Sequence, residues 1–143
     1  MKVLVIHGPN LNLLGARELS VYGDLTLDEV NARLRKEADG LEMELHIHQT
    51  AREGEIIELL HAAIGEVEGA VVNPGAYSHT SRAIADAIRA VPFPVVEVHL
   101  SNIHAREQWR RHSVTAEAAT AIIAGLGAGS YVAALRFLKE LPR

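Results

Sequence analysis

A glutamate, a histidine and a serine alternate with apolar residues in one short segment of the chain. Glu97, His99 and Ser101 are separated by Val98 and Leu100, in a run with the composition of a β-strand. Successive side chains of a strand point to opposite faces, so the three polar side chains share one face. A carboxylate beside a histidine fixes the tautomer of the ring and raises its basicity, as in a general acid or base. Alternatively, the glutamate and the histidine only satisfy each other's hydrogen-bonding groups at the end of a strand.

A long segment after the first predicted strand carries an amide, a guanidinium and a phenol. Asn10, Arg17 and Tyr22 lie in this segment, whereas a loop of an α/β protein normally has about 2–6 residues. Much longer loops are commonly lids or binding loops. A guanidinium from Arg17 or Arg106 near Tyr22 would favour the phenolate, which could act as a base. Taken alone, a tyrosine in such a loop is more often a packing residue.

Polar residues also follow the third predicted strand, in the segment 73–81 (NPGAYSHTS). Asn73 and the ring of His79, together with backbone donors at the start of a helix, suit substrate hydroxyls or an anion. The alternative is that the segment only begins the helix, which Ser78 or Thr80 would cap.

Charged residues extend this set. Arg106 and Arg110 are four residues apart, so a helical turn would present both guanidinium groups on one face, where they suit a carboxylate or a phosphate. A solvated basic turn is the alternative. Asp86 follows His79 by seven residues, which predicts that both lie on one helical face. A solvated carboxylate is the default interpretation of Asp86.

Strand-like and helix-like segments alternate along the chain and must position these residues. Short apolar runs predict strands at 3–6, 43–48, 70–73, 95–100 and 119–124. Helical periodicity predicts helices at 27–39, 53–67, 80–90 and 129–141. This alternation predicts an α/β fold, with a five-stranded parallel sheet covered on both faces. The expected arrangement is a flavodoxin-like three-layer sandwich of strand order 2-1-3-4-5, which gathers the carboxyl ends of strands 1, 3 and 4.

Two other patterns resemble ligand sites only superficially. His46 and His48 share one face of the second strand, but no third ligand is spaced to join them in a metal site. The glycines of the segment 125–129 (GLGAG) lack the G-x-G-x-x-G spacing of a nucleotide loop. A surface position for the histidines and a tight β-to-α turn for the glycines are the simpler predictions.

Composition narrows the class of protein. The 143 residues predict one domain spanning 1–143, and a net charge of −4 with scattered charges gives no reason to expect nucleic acid or a membrane surface as partner. There is no apolar run of the ~20 residues that a transmembrane helix needs. The absence of cysteine excludes disulfides, thiolate metal sites and a cysteine nucleophile. A cytoplasmic location is the plain expectation.

Three motifs in order resemble the type II 3-dehydroquinate dehydratases. They are the segments 7–15 (HGPNLNLLG) with RE at 17–18 and VYG at 21–23, 73–81 (NPGAYSHTS), and 97–107 (EVHLSNIHARE) followed by RRHS at 110–113. The similarity runs from end to end. It implies reversible dehydration of 3-dehydroquinate to 3-dehydroshikimate through an enolate, without metal or cofactor. It also implies trimers that assemble further into a homododecamer, a tetramer of trimers.

The resemblance further implies a role for each candidate residue. Tyr22 would remove the proton next to the ketone, assisted by Arg17 on a closing loop, and His99, oriented by Glu97, would protonate the departing hydroxyl. Asn10 would hold a water that stabilises the enolate, and Arg106 would be a second stabilising cation. The implied substrate-binding groups are Asn73, His79, Arg110, the backbone of Leu100 and Ser101, and Asp86 from a neighbouring subunit.

Other functions of a flavodoxin-like domain fit the residues less well. A phosphoacceptor domain needs acidic residues after the first strand and an aspartate ending the third, where this chain has His7-Gly8 and Asn73. A flavin-binding domain needs a short phosphate loop and aromatic walls, but aromatic residues make up only 4% of the chain. No lysine lies in the three motifs to form a Schiff base. An isomerase acting on another hydroxy-keto acid stays compatible with the same residues.

Overall fold

A parallel sheet of five strands runs through the computed structural model, which describes residues 1–143. The strands are β1 (Lys2–His7), β2 (Glu44–Gln49), β3 (Gly69–Asn73), β4 (Val95–His99) and β5 (Ala121–Ala124). Their order is β2-β1-β3-β4-β5, and every neighbouring pair is parallel. The predicted flavodoxin-like order is therefore confirmed, and the carboxyl ends of β1, β3 and β4 lie side by side.

Helices cover both faces of the sheet. They are α1 (Leu19–Tyr22), α2 (Leu27–Gly40), α3 (Glu53–Ala62), α4 (Arg82–Ala90) and α5 (Gly129–Glu140). Leu34 of α2 and Leu135 of α5 belong to the core on one face, while Leu60 of α3 and Ile88 of α4 belong to the core on the other. β3 and β4 are buried at every position, as expected of strands covered on both sides. None of the helices combines the length and the apolar character needed to cross a bilayer.

The end of β1 lies against the end of β3. His7 is paired with Asn73, and the Gly8 N–H donates a hydrogen bond to the Asn73 carbonyl at 2.7 Å. A Cβ at position 8 would lie 2.7 Å from that oxygen and 2.7 Å from the carbonyl carbon of Pro74, so a side chain does not fit there. This close approach brings the long segment after β1 next to the end of β3.

Two predicted boundaries were wrong because turns replace the regular elements. α3 was expected to reach residue 67 but ends at Ala62, since Gly65 adopts a left-handed backbone conformation (φ 81°). The strand expected from residue 119 begins at Ala121. The Ala119 N–H is taken by the carbonyl of Ala116 in a turn and is not available to the sheet.

The start of α4 also differs from the prediction. The helix begins at Arg82, and Ser81 is its cap, with a side-chain oxygen that accepts a hydrogen bond from the Ile84 N–H at 3.0 Å. The alternative interpretation, in which Ser78 or Thr80 caps the helix, is therefore wrong. Residues Gly75–His79 form a separate 3-10 turn, which carries His79 outside the helix.

Candidate active site

A pocket opens where the carboxyl ends of β1, β3 and β4 meet, at the point expected for ligands in an open α/β sheet. Most of the candidate residues line it: Asn10, Arg17, Tyr22, Asn73, His79, His99, Leu100, Ser101, Arg106 and Arg110. Glu97 and Asp86 do not. Glu97 is buried beside His99, and Asp86 lies on the outer surface of α4.

The phenol of Tyr22 lies close to two guanidinium groups. Arg106 Nη1 donates a hydrogen bond to Tyr22 Oη at 2.6 Å, across 84 residues of chain. The guanidinium carbons of Arg17 and Arg106 lie 4.7 Å and 5.2 Å from the ring centroid. An anionic oxygen formed at this position would be stabilised by a charge-assisted hydrogen bond. The sequence offered Arg17 and Arg106 as alternative neighbours of Tyr22, and the structure places both beside it.

His99 and Glu97 form the contact that their alternation predicts. His99 Nε2 lies 2.6 Å from Glu97 Oε1, and the glutamate is fully buried. Ser113 Oγ donates to Oε1 at 2.7 Å and Thr115 Oγ1 donates to Oε2 at 2.7 Å, so hydrogen bonds compensate for burial of the carboxylate. Because Nε2 faces the carboxylate, Nδ1 is the ring nitrogen of His99 that is available to a ligand.

Two backbone N–H groups after β4 have no acceptor within the chain. Neither Leu100 N–H nor Ser101 N–H donates to another group of the protein, although Leu100 is buried. The peptide between these two residues is held by Gly127, whose N–H donates a hydrogen bond to the Leu100 carbonyl at 2.9 Å. Gly125 and Gly127 have φ values of 92° and 58°, and they form the predicted tight turn between β5 and α5. Buried N–H groups are nearly always satisfied, so this pair is suited to an anionic group of a ligand.

The basic residues after β4 reach the pocket by a different path from the one predicted. Arg106 follows a 3-10 turn at Ile103–Ala105, and Arg110 belongs to a second turn at Gln108–Arg111. The expectation of a shared helical turn was therefore wrong, yet both side chains line the pocket. Arg110 Nε donates to Glu107, and its guanidinium stacks on the exposed ring of Trp109.

His79 faces the pocket from the turn before α4. Its Nδ1 lies 2.7 Å from the carbonyl oxygen of His112, which can only accept, so Nδ1 carries the proton and Nε2 is left for a ligand. Partial burial lowers the pKa of His79 below its ordinary value, and the hydrogen bond to His112 opposes this effect. The ring is therefore neutral at physiological pH.

Asp86 is remote from the pocket of its own chain. Its side chain is 86% exposed on α4 and lies 3.6 Å from Arg89 Nη1. The predicted common helical face of His79 and Asp86 was wrong, because His79 precedes the helix.

Comparison of the chain with known proteins identifies its family. Residues 1–139 match the family described as Dehydroquinase class II. The chain belongs to this family. It is 51% identical over 136 residues to the 3-dehydroquinate dehydratase of Pelotomaculum thermopropionicum, covering 95% of this chain and 94% of that one. It is 52% identical over 136 residues to the catabolic 3-dehydroquinase of Verticillium alfalfae, covering 95% and 91%. The type II dehydroquinase structure from Butyrivibrio crossotus superposes with a TM-score of 0.96, at 38% identity and 98% coverage of both chains.

Sequence reasoning missed a carboxylate that contacts two pocket residues of this class II dehydroquinase. Glu18 Oε2 accepts hydrogen bonds from Arg17 Nη2 at 3.0 Å and from Arg106 Nη2 at 3.2 Å. It therefore links the two cations that lie beside Tyr22. The adjacency of Arg17 and Glu18 was a signal for the first contact, but nothing in the sequence indicated the second.

Proposed function

We propose that this class II dehydroquinase is a hydro-lyase that converts 3-dehydroquinate reversibly to 3-dehydroshikimate through an enolate, as a step of the shikimate pathway. Eliminating water next to a ketone requires a base, a group that stabilises the enolate and an acid at the leaving hydroxyl. The observation that carries the proposal is one pocket holding Tyr22, hydrogen-bonded to Arg106 at 2.6 Å, and His99, hydrogen-bonded to Glu97 at 2.6 Å. These two pairs supply the base and the acid.

Tyr22 is the base of the proposed mechanism. As the phenolate, it removes the proton next to the substrate ketone. Arg106 donates to the phenolic oxygen, while Arg17 lies over the ring, so both cations stabilise negative charge that moves between the tyrosine and the substrate. Glu18 fixes both guanidinium groups from the outside.

Asn10 stabilises the enolate through a bound water. A water that bridges an amide and a developing oxyanion is nearly as effective as a direct hydrogen bond. The backbone of Asn10 is left-handed (φ 71°), a conformation that asparagine tolerates better than most residues with a side chain. The residue type therefore suits both the turn and the chemistry.

His99 is the acid that releases the hydroxyl of the substrate as water. Its Nε2 is held by Glu97, so the proton is delivered from Nδ1. The buried carboxylate stabilises the positive charge of the imidazolium before the proton is transferred. Ser113 and Thr115 hold the carboxylate, which in turn sets the plane of the ring.

The remaining groups bind the substrate. Asn73, His79 and Arg110 bind its hydroxyls, and the free N–H groups of Leu100 and Ser101 bind its carboxylate. A carboxylate accepts several donors at once, which matches two N–H groups on consecutive residues.

The protein assembles in this proposal as trimers within a homododecamer, in the cytoplasm. Asp86 supports the trimer, because a residue that is 86% exposed and absent from its own pocket is free to enter the pocket of a neighbour. In that position it binds a substrate group across the subunit interface.

A turnover assay tests the proposed reaction. Purified protein mixed with 3-dehydroquinate is expected to produce the ultraviolet absorbance of the conjugated enone carboxylate in the product. The reverse reaction, started from 3-dehydroshikimate, is expected to reach the same equilibrium mixture. Folded protein that produces no absorbance change from either side would overturn the proposal.

Mixed oligomers test the position of Asp86. We expect Tyr22→Phe and Asp86→Ala to be weakly active when assembled separately. When the two are co-assembled in equal amounts, about a quarter of the wild-type activity should return, because that share of sites receives an intact tyrosine and an intact neighbouring aspartate.

Asp39→Ala is the matched control for Asp86→Ala, because Asp39 is an exposed aspartate on α2 outside the pocket. It should leave activity unchanged. Activity of the mixture no higher than the mean of the two variants would place Asp86 outside the neighbouring site.

A further inference from the structure

A buried chain of side-chain hydrogen bonds leads to Asn73 from His7 and Tyr131, two residues that have no part in the mechanism above. His7 Nδ1 lies 2.8 Å from Tyr131 Oη, and His7 Nε2 lies 2.8 Å from Asn31 Oδ1. Asn73 Nδ2 donates to the same tyrosine oxygen at 3.1 Å. His7 is completely buried, and Tyr131 is 1% exposed. The chain therefore connects a titratable ring in the core to Asn73 in the wall of the pocket.

The direction of the hydrogen bonds in this chain follows from one backbone donor and from the need of the buried tyrosine proton for an acceptor. The Gly75 N–H donates to Asn73 Oδ1 at 3.1 Å, which fixes that atom as the amide oxygen. Asn73 Nδ2 must then donate to Tyr131 Oη. The buried Tyr131 proton needs an acceptor, and Asn73 presents only an N–H to it, so that proton goes to the other partner of the oxygen, His7 Nδ1.

His7 must accordingly be neutral and carry its proton on Nε2, which donates to Asn31 Oδ1. A second proton on Nδ1 would leave the buried hydroxyl proton of Tyr131 without an acceptor, which is costly in the core. Burial also lowers the pKa of His7 from 6.5 to about 4, so the ring stays neutral at physiological pH. Burial raises the pKa of Tyr131, which keeps its hydroxyl protonated.

We propose that His7 is a positioning residue for Asn73: through the Tyr131 hydroxyl it fixes the orientation of the Asn73 amide, so that the second Nδ2 proton is presented to a substrate hydroxyl. This inference rests on the proposed function, in which Asn73 binds substrate. The Gly75 N–H holds the oxygen of the Asn73 amide, and the Tyr131 hydroxyl holds its nitrogen. Only one orientation of the amide satisfies both contacts. Without the acceptor on His7, the tyrosine hydroxyl can turn its proton toward Asn73 and displace the amide.

Steady-state kinetics of two His7 variants test the proposal. His7→Leu removes the acceptor and should raise KM by roughly 5- to 10-fold while kcat changes by less than about 3-fold, as for the loss of one neutral hydrogen bond to bound substrate. His7→Gln keeps an amide oxygen for Tyr131 and an amide N–H for Asn31, and it should restore KM. A general loss of folding would lower the melting temperature of His7→Leu without this separation of KM from kcat. Failure of His7→Gln to restore KM would overturn the proposal.

A double-mutant cycle asks whether the effect passes through Asn73. In an Asn73→Ala background, His7→Leu should cause no further rise in KM, because the residue it positions is gone. An equal rise in both backgrounds would assign the effect of His7 to another residue and overturn the proposal.

The tautomer of His7 provides a readout that does not depend on activity. Solid-state nitrogen NMR of histidine-labelled protein should show one protonated and one unprotonated ring nitrogen for His7, with the proton on Nε2; the signals are assigned by their loss in His7→Gln. A proton on Nδ1 would overturn the positioning role even if the enzyme turns over 3-dehydroquinate. Absence of turnover in folded wild-type protein would instead reject the proposed function, so the two failures are distinguishable.

Discussion

Tyr22→Phe is expected to lower kcat for 3-dehydroquinate by about 100- to 10,000-fold, the usual contribution of a general base. The substitution removes one oxygen and keeps the ring that lies beside Arg17 and Arg106. The pocket therefore keeps its shape and its cations while the group that accepts the proton is lost. Initial rates of product absorbance at saturating substrate measure the effect.

Tyr77→Phe is the matched control for this experiment. The Tyr77 hydroxyl donates to the Ala51 carbonyl at 2.9 Å, and the residue does not line the pocket. The control loses a tyrosine hydrogen bond of ordinary strength, about 1 kcal/mol of folding free energy, and should keep its kcat. Turnover that survives in Tyr22→Phe would reject tyrosine as the base and leave the proposed reaction standing.

His99→Gln is expected to separate the two halves of the reaction. Dehydration should fall by about 100- to 10,000-fold, because the leaving hydroxyl loses its acid. Removal of the proton next to the ketone needs Tyr22 and Asn10, which this substitution does not alter. The variant should therefore still exchange that proton with solvent deuterium, whereas Tyr22→Phe should lose both exchange and dehydration.

Proton NMR of 3-dehydroquinate in D2O, recorded with each variant, measures exchange and dehydration in one sample. His104→Gln is the control, since His104 is exposed and lies outside the pocket. It should match the wild type in both rates. Exchange that falls together with dehydration in His99→Gln would show that His99 acts before the leaving hydroxyl departs, and the assignment of the acid would be wrong.

The sheet was predictable because its physical causes are local. β3 and β4 are short, apolar and buried on both faces, so their composition alone distinguishes them from the amphipathic helices that surround them. The contact between Glu97 and His99 was predictable for the same reason, since the strand period alone puts both side chains on one face.

The features that were missed depend on the path of irregular backbone. Ser113 and Thr115 reach Glu97 from 16 and 18 residues downstream, through turns that have no periodic signal. The link from Glu18 to Arg106 spans 88 residues and depends on how the segment after β1 folds back. α4 started later than expected because Ser81, rather than a neighbouring hydroxyl, was in the extended conformation that a cap requires. The roles of the pocket residues remain predictions.

The 84-residue separation of Tyr22 and Arg106 has a consequence for the protein as it is made. Ribosomes add roughly 5–20 residues per second, so the tyrosine is synthesised on the order of 4 to 17 seconds before its arginine. For most of that interval β4 and everything that follows it have not been synthesised, so β1 and β2 can pair while the pocket is incomplete. The residues of the core that holds Leu60 and Ile88 are therefore all synthesised before the site is complete, whereas half of the residues of the other core come from β4 and the chain that follows it. The active site is therefore completed late in the synthesis of each molecule, once the last third of the chain has folded against the rest.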